Sequence, residues 1–204
     1  MTTGVAAQGL FRNGAHRMKK LIESTLVSLD GVVEGQEKWT AGYFDEEAKT
    51  HAYESLAGVD IFLLGRATFE KFSTTWPNIK GDRYFDRING LKKLVVSSVL
   101  DPAGAWNATA IKGNASAEIA RLKSEPGKNI MKYGTTRLDR TLFDHGLVDE
   151  LHLWYFPVVV GHGRHLFEDI DTSRVHLALT DIQRFKSGSV KHTYAVRYSE
   201  SQEL

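Results

Sequence analysis

Apolar positions along this chain switch between the spacing of strands and that of helices. Met18–Leu29 is an apolar-rich run closed by Asp30-Gly31, which predicts a first strand and a tight turn. A loop through Gly35 and Gly42 follows and carries Trp39. Phe44, Ala48, Ala52 and Leu56 then recur four apart, the spacing of one helix face. Asp45, Glu46 and Glu47 fill the first turn, where the helix dipole favours acids, and Gly58 stands past the end. Ile61–Leu64 is apolar without alternation, which predicts an interior strand covered on both faces. It breaks at Gly65 into a short helical stretch, Arg66–Glu70. Beyond Trp76-Pro77 a polar segment rich in Asp and Arg leads to a strand at Lys93–Val96, which stops at Ser97-Ser98.

The second half repeats the alternation. Trp106–Ile111 reads as a short strand, and Ser116–Lys123 as a helix with Ile119 and Leu122 inward. Asn129–Tyr133 is a mostly apolar strand ending at Gly134; Leu138, Leu142 and Phe143 then fall at helical spacing up to a stop at Gly146. Thr136 and Asp139 have the spacing of a capping box. Leu151–Phe156 is apolar on both faces, which predicts a central strand, and Pro157–Gly163 is a turn-rich exit. Val175–Phe185 and Val190–Tyr198 form a hairpin in which Val190, His192, Tyr194, Val196 and Tyr198 share one face. Alternating strands and helices closed by a hairpin predict an α/β fold, its central sheet mostly parallel with an antiparallel C-terminal hairpin.

A length of 204 residues suits one domain, placed at residues 18–204, with residues 1–17 expected as a mobile N-terminal extension lacking the apolar core of a secretory signal. The net charge of +1 and scattered Lys and Arg argue against nucleic acid. Leu151–Val160 is too short to span a bilayer, so no membrane partner is expected. There are no cysteines, which rules out disulfides and thiolate metal sites and fits a cytoplasmic location. The histidines form no HExxH, and His162 and His165 read as part of a solvated loop, so no metal site is expected.

Candidate chemistry gathers where strands end. Gly65-Arg66-x-Thr68, Ser97-Ser98 and Gly134-Thr135-Thr136 each follow a predicted strand with small, hydroxyl or basic residues. In an open α/β sheet, ligands collect at the carboxyl ends of strands. Neighbouring strands would turn all three toward one crevice, and helix starts with free amides favour an anion. Gly134 lets the backbone approach a ligand closely. Each turn alone is also ordinary punctuation. Together they form the equipment for a phosphorylated ligand such as a dinucleotide. Three tryptophans read as core, whereas Trp39, in a loop, is free to cover a flat heterocycle.

The order SLDG (Ser28–Gly31), LLGRATFE (Leu63–Glu70), VVSS (Val95–Ser98), the strand–Gly–helix turn, and DELHLWYFPVVVGHGRHLF (Asp149–Phe167) resembles the dihydrofolate-reductase-like superfamily. It is most similar to stand-alone relatives of the reductase domain of riboflavin biosynthesis. The resemblance implies a three-layer fold and NADPH as hydride donor to a small heterocycle: a pterin, an aminopyrimidine or a flavin precursor. It further implies that Leu26 and Val33 meet the nicotinamide through backbone groups. Gly65, Arg66, Ala67 and Thr68 then hold the pyrophosphate and 2′-phosphate. Ser97, Ser98 and Lys112 sit at the adenosine end, and Tyr133, Gly134, Thr135, Thr136, Arg137 and Leu138 line the nicotinamide and pyrophosphate. Folate reductases carry one acid on the first helix. Counting from Trp39 places it near Asp45, and counting back from Gly65 places it near Lys49, which is no acid, so folate reduction itself is not expected. Glu47, His51 and Glu54 make another polar face of that helix, which also reads as a solvated face, and Trp154 takes a strand position facing the pocket. Such chains are often homodimers, and Tyr194, Val196 and Tyr198 suit either an interface or the core. Two alternatives stay open: a non-catalytic nucleotide-binding or regulatory module on the same fold, and a structural homodimer.

Overall fold

Eight strands form one sheet in the order β4-β3-β2-β5-β1-β6-β8-β7. The computed structural model describes residues 18–102 and 104–199. The extension expected at residues 1–17 lies outside them. In chain order the elements are β1 (Leu21–Ser28), α1 (Gln36–Trp39), α2 (Glu46–Ser55), β2 (Val59–Gly65), α3 (Arg66–Ser73), α4 (Arg83–Gly90), β3 (Lys92–Val96), β4 (Ala108–Ile111), α5 (Ala115–Ser124), β5 (Asn129–Tyr133), α6 (Arg137–Asp144), β6 (Glu150–Phe156), β7 (Val175–Arg184) and β8 (Val190–Tyr198).

Every pairing from β4 across to β6 is parallel, and β8 pairs antiparallel with both β6 and β7. β2 and β6, apolar on both faces in the sequence, are interior strands. Their side chains are buried on either side because helices cover both faces. On one face Ile119 and Leu122 of α5 and Leu138, Leu142 and Phe143 of α6 pack with Leu21, Val27 and Leu151. On the other, Phe69 of α3 and Ile88 of α4 pack with Phe62 and Met131, and Ala48 and Ala52 of α2 with Trp154 and Phe156. The result is the three-layer α/β arrangement expected.

The differences have local causes. β1 starts at Leu21 rather than Met18. The polar segment before β3 contains α4, because Asp82 caps it by accepting from the amides of Tyr84 and Phe85, and Ile88 is buried. β4 starts at Ala108 rather than Trp106, because Trp106 and Asn107 take φ of 52° and 55°, left-handed values no strand accommodates. The loop carrying Trp39 contains the single turn α1. Tyr198 is half-buried against the core, and its hydroxyl donates to the Val148 carbonyl at 3.1 Å. Tyr194 and Val196 are half-buried beside Leu177, Leu179 and Ile182 of the edge strand, which are 39%, 49% and 48% exposed. Among the described residues no helix is long and apolar enough to cross a membrane.

Candidate functional site

Because β3, β2 and β5 are adjacent and parallel, the turns after Gly65, Val96 and Tyr133 leave the sheet at one edge. The turns after Gly65 and Tyr133 open on a cleft of about 1810 Å³, which Val96 also lines from the end of β3. Gly65, Arg66, Ala67, Thr68, Tyr133, Gly134, Thr135, Thr136, Arg137 and Leu138 all line it. Gly65 caps α3 with no side-chain hydrogen bond, so no side chain competes for the first amides of that helix. Gly134 adopts φ of 69°, and a Cβ there would meet nothing within 4 Å, so the turn presents bare backbone. Thr136 caps α6 as its spacing predicts: its hydroxyl accepts from the Leu138 amide while the Asp139 carboxylate accepts from the Thr136 amide. The two turns touch, since a Cβ on Gly65 would stand 3.5 Å from Thr136 Oγ1.

Buried charges that sequence reasoning passed over hold this corner. Glu23, Lys132 and Asp139 are wholly enclosed. Lys132 Nζ lies 2.5 Å from Asp139 Oδ1 and 3.9 Å from Glu23 Oε2, and it donates to the Gly134 carbonyl. Glu23 lies opposite Lys132 in register, yet neither of its carboxyl oxygens is hydrogen-bonded. Burial pushes its carboxyl well above the usual range; Lys132 opposes the shift and Asp139 adds to it. Arg164, from the loop after β6, also lines the cleft and donates to the Thr135 carbonyl. The available signal was a lysine inside NIMKY and a glutamate inside LIESTLVS, charges on faces that otherwise read as core.

Other expected residues divide. Leu26 and Val33 line the cleft. The Leu26 carbonyl accepts from the Gln36 side-chain amide at 2.9 Å, and the Val33 amide donates to the Arg164 carbonyl at 2.9 Å. Ser97, Ser98 and Lys112 do not line the cleft. The buried Ser97 hydroxyl accepts from the amides of Val99 and Leu100, Ser98 is exposed, and Lys112 borders a separate hollow beside α5. Val96 and Ala115 take their place.

On the opposite side, Trp154 lines the cleft and stacks on Phe185 at 5.1 Å. Trp39, expected to cover a heterocycle, instead donates its indole N–H to the Glu34 carbonyl and packs edge-on against Phe156. Asp45 is the N-cap of α2, one oxygen accepting from Ala48 and the other from Ser187, so both are committed outside the cleft. Glu47 accepts from the Lys186 amide on the surface. His51 packs edge-on against Trp154 and Phe185, with Nε2 3.1 Å from Lys191 Nζ. The positions α2 does turn to the cleft are Ala52 and Ser55, so this helix supplies no acid there.

The sequence profile of the RibD C-terminal domain matches residues 19–191. The chain belongs to this family. Two relatives of this RibD C-terminal domain come from Bacillus subtilis (strain 168). The uncharacterized protein YyaP is 29% identical over 182 residues, covering 87% of this chain and 95% of YyaP. The uncharacterized protein YwjB is 29% identical over 170 residues, covering 82% and 92%. Among solved structures, a putative riboflavin biosynthesis protein of Shewanella sp. PV-4 superposes with a TM-score of 0.67 at 18% identity, covering 87% of this chain and 99% of its own. A dihydrofolate reductase of Enterococcus faecalis, solved with NADP(H), superposes with a TM-score of 0.57 at 15% identity, covering 87% and 96%. At such identities these structures establish the fold, which is dihydrofolate-reductase-like.

Proposed function

We propose that this RibD C-terminal domain is a reductase that uses NADPH to reduce a small nitrogen heterocycle of the pyrimidine or pterin kind. The observation that carries the reading is the convergence of the β2–α3 and β5–α6 turns on one cleft, with uncapped α3 amides and Arg66 beside bare Gly134 backbone. That donor set fits a pyrophosphate: amides at a helix start and a planar guanidinium fork both favour a fixed dianion. Arg66 pairs only loosely, at 3.9 Å from Glu70, and is more than half exposed, so it is free to turn to a ligand. Bound there, the reduced dinucleotide supplies a hydride. The chain supplies position, an apolar wall of Leu26 and Trp154, and a proton.

Absorbance at 340 nm tests the reading, with 5-amino-6-(5-phosphoribosylamino)uracil and dihydrofolate as probes. Oxidation of NADPH that depends on either probe is the expected result; none with both removes the reductase function. A second reading, a nucleotide-binding module without catalysis, draws support from the absence of an acid on the cleft face of α2. It requires NADPH binding with no oxidation by either probe. A homodimer is part of the proposal, joined through the apolar face of the C-terminal hairpin.

A further inference from the structure

Three polar side chains form one row across the floor of the cleft. Tyr133 on β5, Ser24 on β1 and His152 on β6 are in register, and all three line the cleft. Neighbouring strands lie about 4.8 Å apart, so the row spans about 10 Å, the length of one bicyclic heterocycle. Leu26 and Trp154, also paired in register, stand two residues nearer the strand ends on the same face. The row thus lies one pleat below the apolar wall.

His152 is the titratable member suited to giving up a proton. It is 8% exposed. Its Nε2 lies 3.3 Å from Glu150 Oε2, and its Nδ1 makes no hydrogen bond to the described residues. Glu150 Oε1 in turn meets Lys20 Nζ at 2.5 Å. The His152 and Lys20 contacts hold the Glu150 carboxyl down at about 2, so it stays ionised behind the ring. Other ionisable groups of the cleft are less suited. Tyr133 is pushed up to about 12 and Tyr84 is also raised, both by burial, and their hydroxyls bond each other at 3.1 Å. Glu34, Glu37, Glu168 and Asp169 stand exposed at the rim.

We infer that His152, oriented by Glu150, is the general acid of this cleft, protonating a ring or imine nitrogen (or a carbonyl oxygen) as the neighbouring carbon is reduced. The inference rests on the reductase reading above. A neutral His152 carries its proton on Nε2, donated to Glu150, and accepts a second on Nδ1 from water before substrate enters the cleft. In the step, NADPH gives two electrons and a hydrogen to the carbon of a C=N or C=O group. The π pair moves to the heteroatom, which takes the Nδ1 proton. NADP⁺ and neutral imidazole remain. Ser24 and Tyr133 are positioning residues, offering hydroxyls along the same row.

The charge surroundings determine the sign of the pH effect. Burial lowers the His152 pKa below its usual value, Glu150 on its own strand raises it, Lys191 on β8 lowers it and Asp181 on β7 raises it. His51 on α2 also faces this group. Turnover therefore falls as pH rises through a value below 6.5.

Two measurements test the assignment. The first is the pH profile of NADPH oxidation with the uracil and dihydrofolate probes for wild type, His152→Gln and Glu150→Gln, alongside NADPH binding by calorimetry. His152→Gln should keep NADPH affinity, lose about 100-fold or more in kcat and lose the pH-dependent limb. The second is a histidine-selective NMR titration of the free protein. Glu150→Gln should lower the His152 pKa and shift the kinetic limb of wild type by the same amount. A His152→Gln protein that turns over like wild type overturns the acid role alone, as does a His152 pKa indifferent to Glu150→Gln. Wild type that binds NADPH but oxidises it with neither probe removes the reductase reading, and the acid role with it.

Discussion

Lys132 is the residue whose loss should do most damage per atom changed. In Lys132→Met a chain of similar length fills the same space, so packing survives while the charge is lost. Lys132 and Asp139 are wholly buried, with Nζ 2.5 Å from Oδ1. Removing one partner of a buried pair leaves an uncompensated charge and costs about 3–5 kcal/mol. The Gly134 carbonyl loses its bond from Nζ as well. Against a typical stability of about 5–15 kcal/mol this is a large share. At about 2–4 °C per kcal/mol for a domain of this size, the melting temperature should fall by about 6–20 °C. Urea unfolding at pH 7 measures it, with the midpoint moving and the slope unchanged. Adding Asp139→Asn removes the stranded charge, so the double variant should be more stable than additivity predicts by about 0.5–3 kcal/mol. A loss under 1 kcal/mol in the single variant, or strict additivity in the double, would refute the view that this ion pair underpins the turn.

Glu23 gives a prediction of opposite sign. Its folded pKa is raised, so its stabilising contribution is full below the unfolded value of about 4.5 and is lost as pH climbs toward the folded value. Glu23→Gln, neutral at every pH, should gain stability relative to wild type between pH 4 and pH 8 in paired urea melts; a deficit that grows with pH would mean the ionised carboxylate is stabilised by Lys132. Leu179→Asp, on the exposed face of the edge strand, should give a monomer in sedimentation equilibrium if two copies bury that face, and an unchanged dimer would place the interface elsewhere.

The sheet was legible because its interior strands advertise themselves: Ile61–Leu64 and Leu151–Phe156 are apolar on both faces, and only strands between helix layers need that. The Thr136–Asp139 cap was legible because it is local, three residues apart on one turn. The residues of the β2–α3 and β5–α6 turns do meet at one cleft, and what failed was the direction in which some single side chains face. An acid at the start of α2 reads the same whether it caps the helix or faces a ligand, and Asp45 caps. The Ser97 hydroxyl closes its own turn, leaving Val96 to face the cleft. α4 was hidden because Asp and Arg dominate its outer face while the few inward positions, such as Ile88, meet the sheet. His152 was hidden in an apolar run. Its significance arises from register with Ser24 and Tyr133, residues more than a hundred positions away or on another strand, and no local pattern records that.

The central claim is that the β2–α3 and β5–α6 turns together hold a dinucleotide pyrophosphate. Isothermal titration of NADPH into wild type and Arg66→Ala tests it most directly. The account predicts saturable binding to wild type and affinity weaker by about tenfold in Arg66→Ala, the loss of one charge-assisted contact. No heat of binding at millimolar NADPH, or equal affinity in the two proteins, would contradict it.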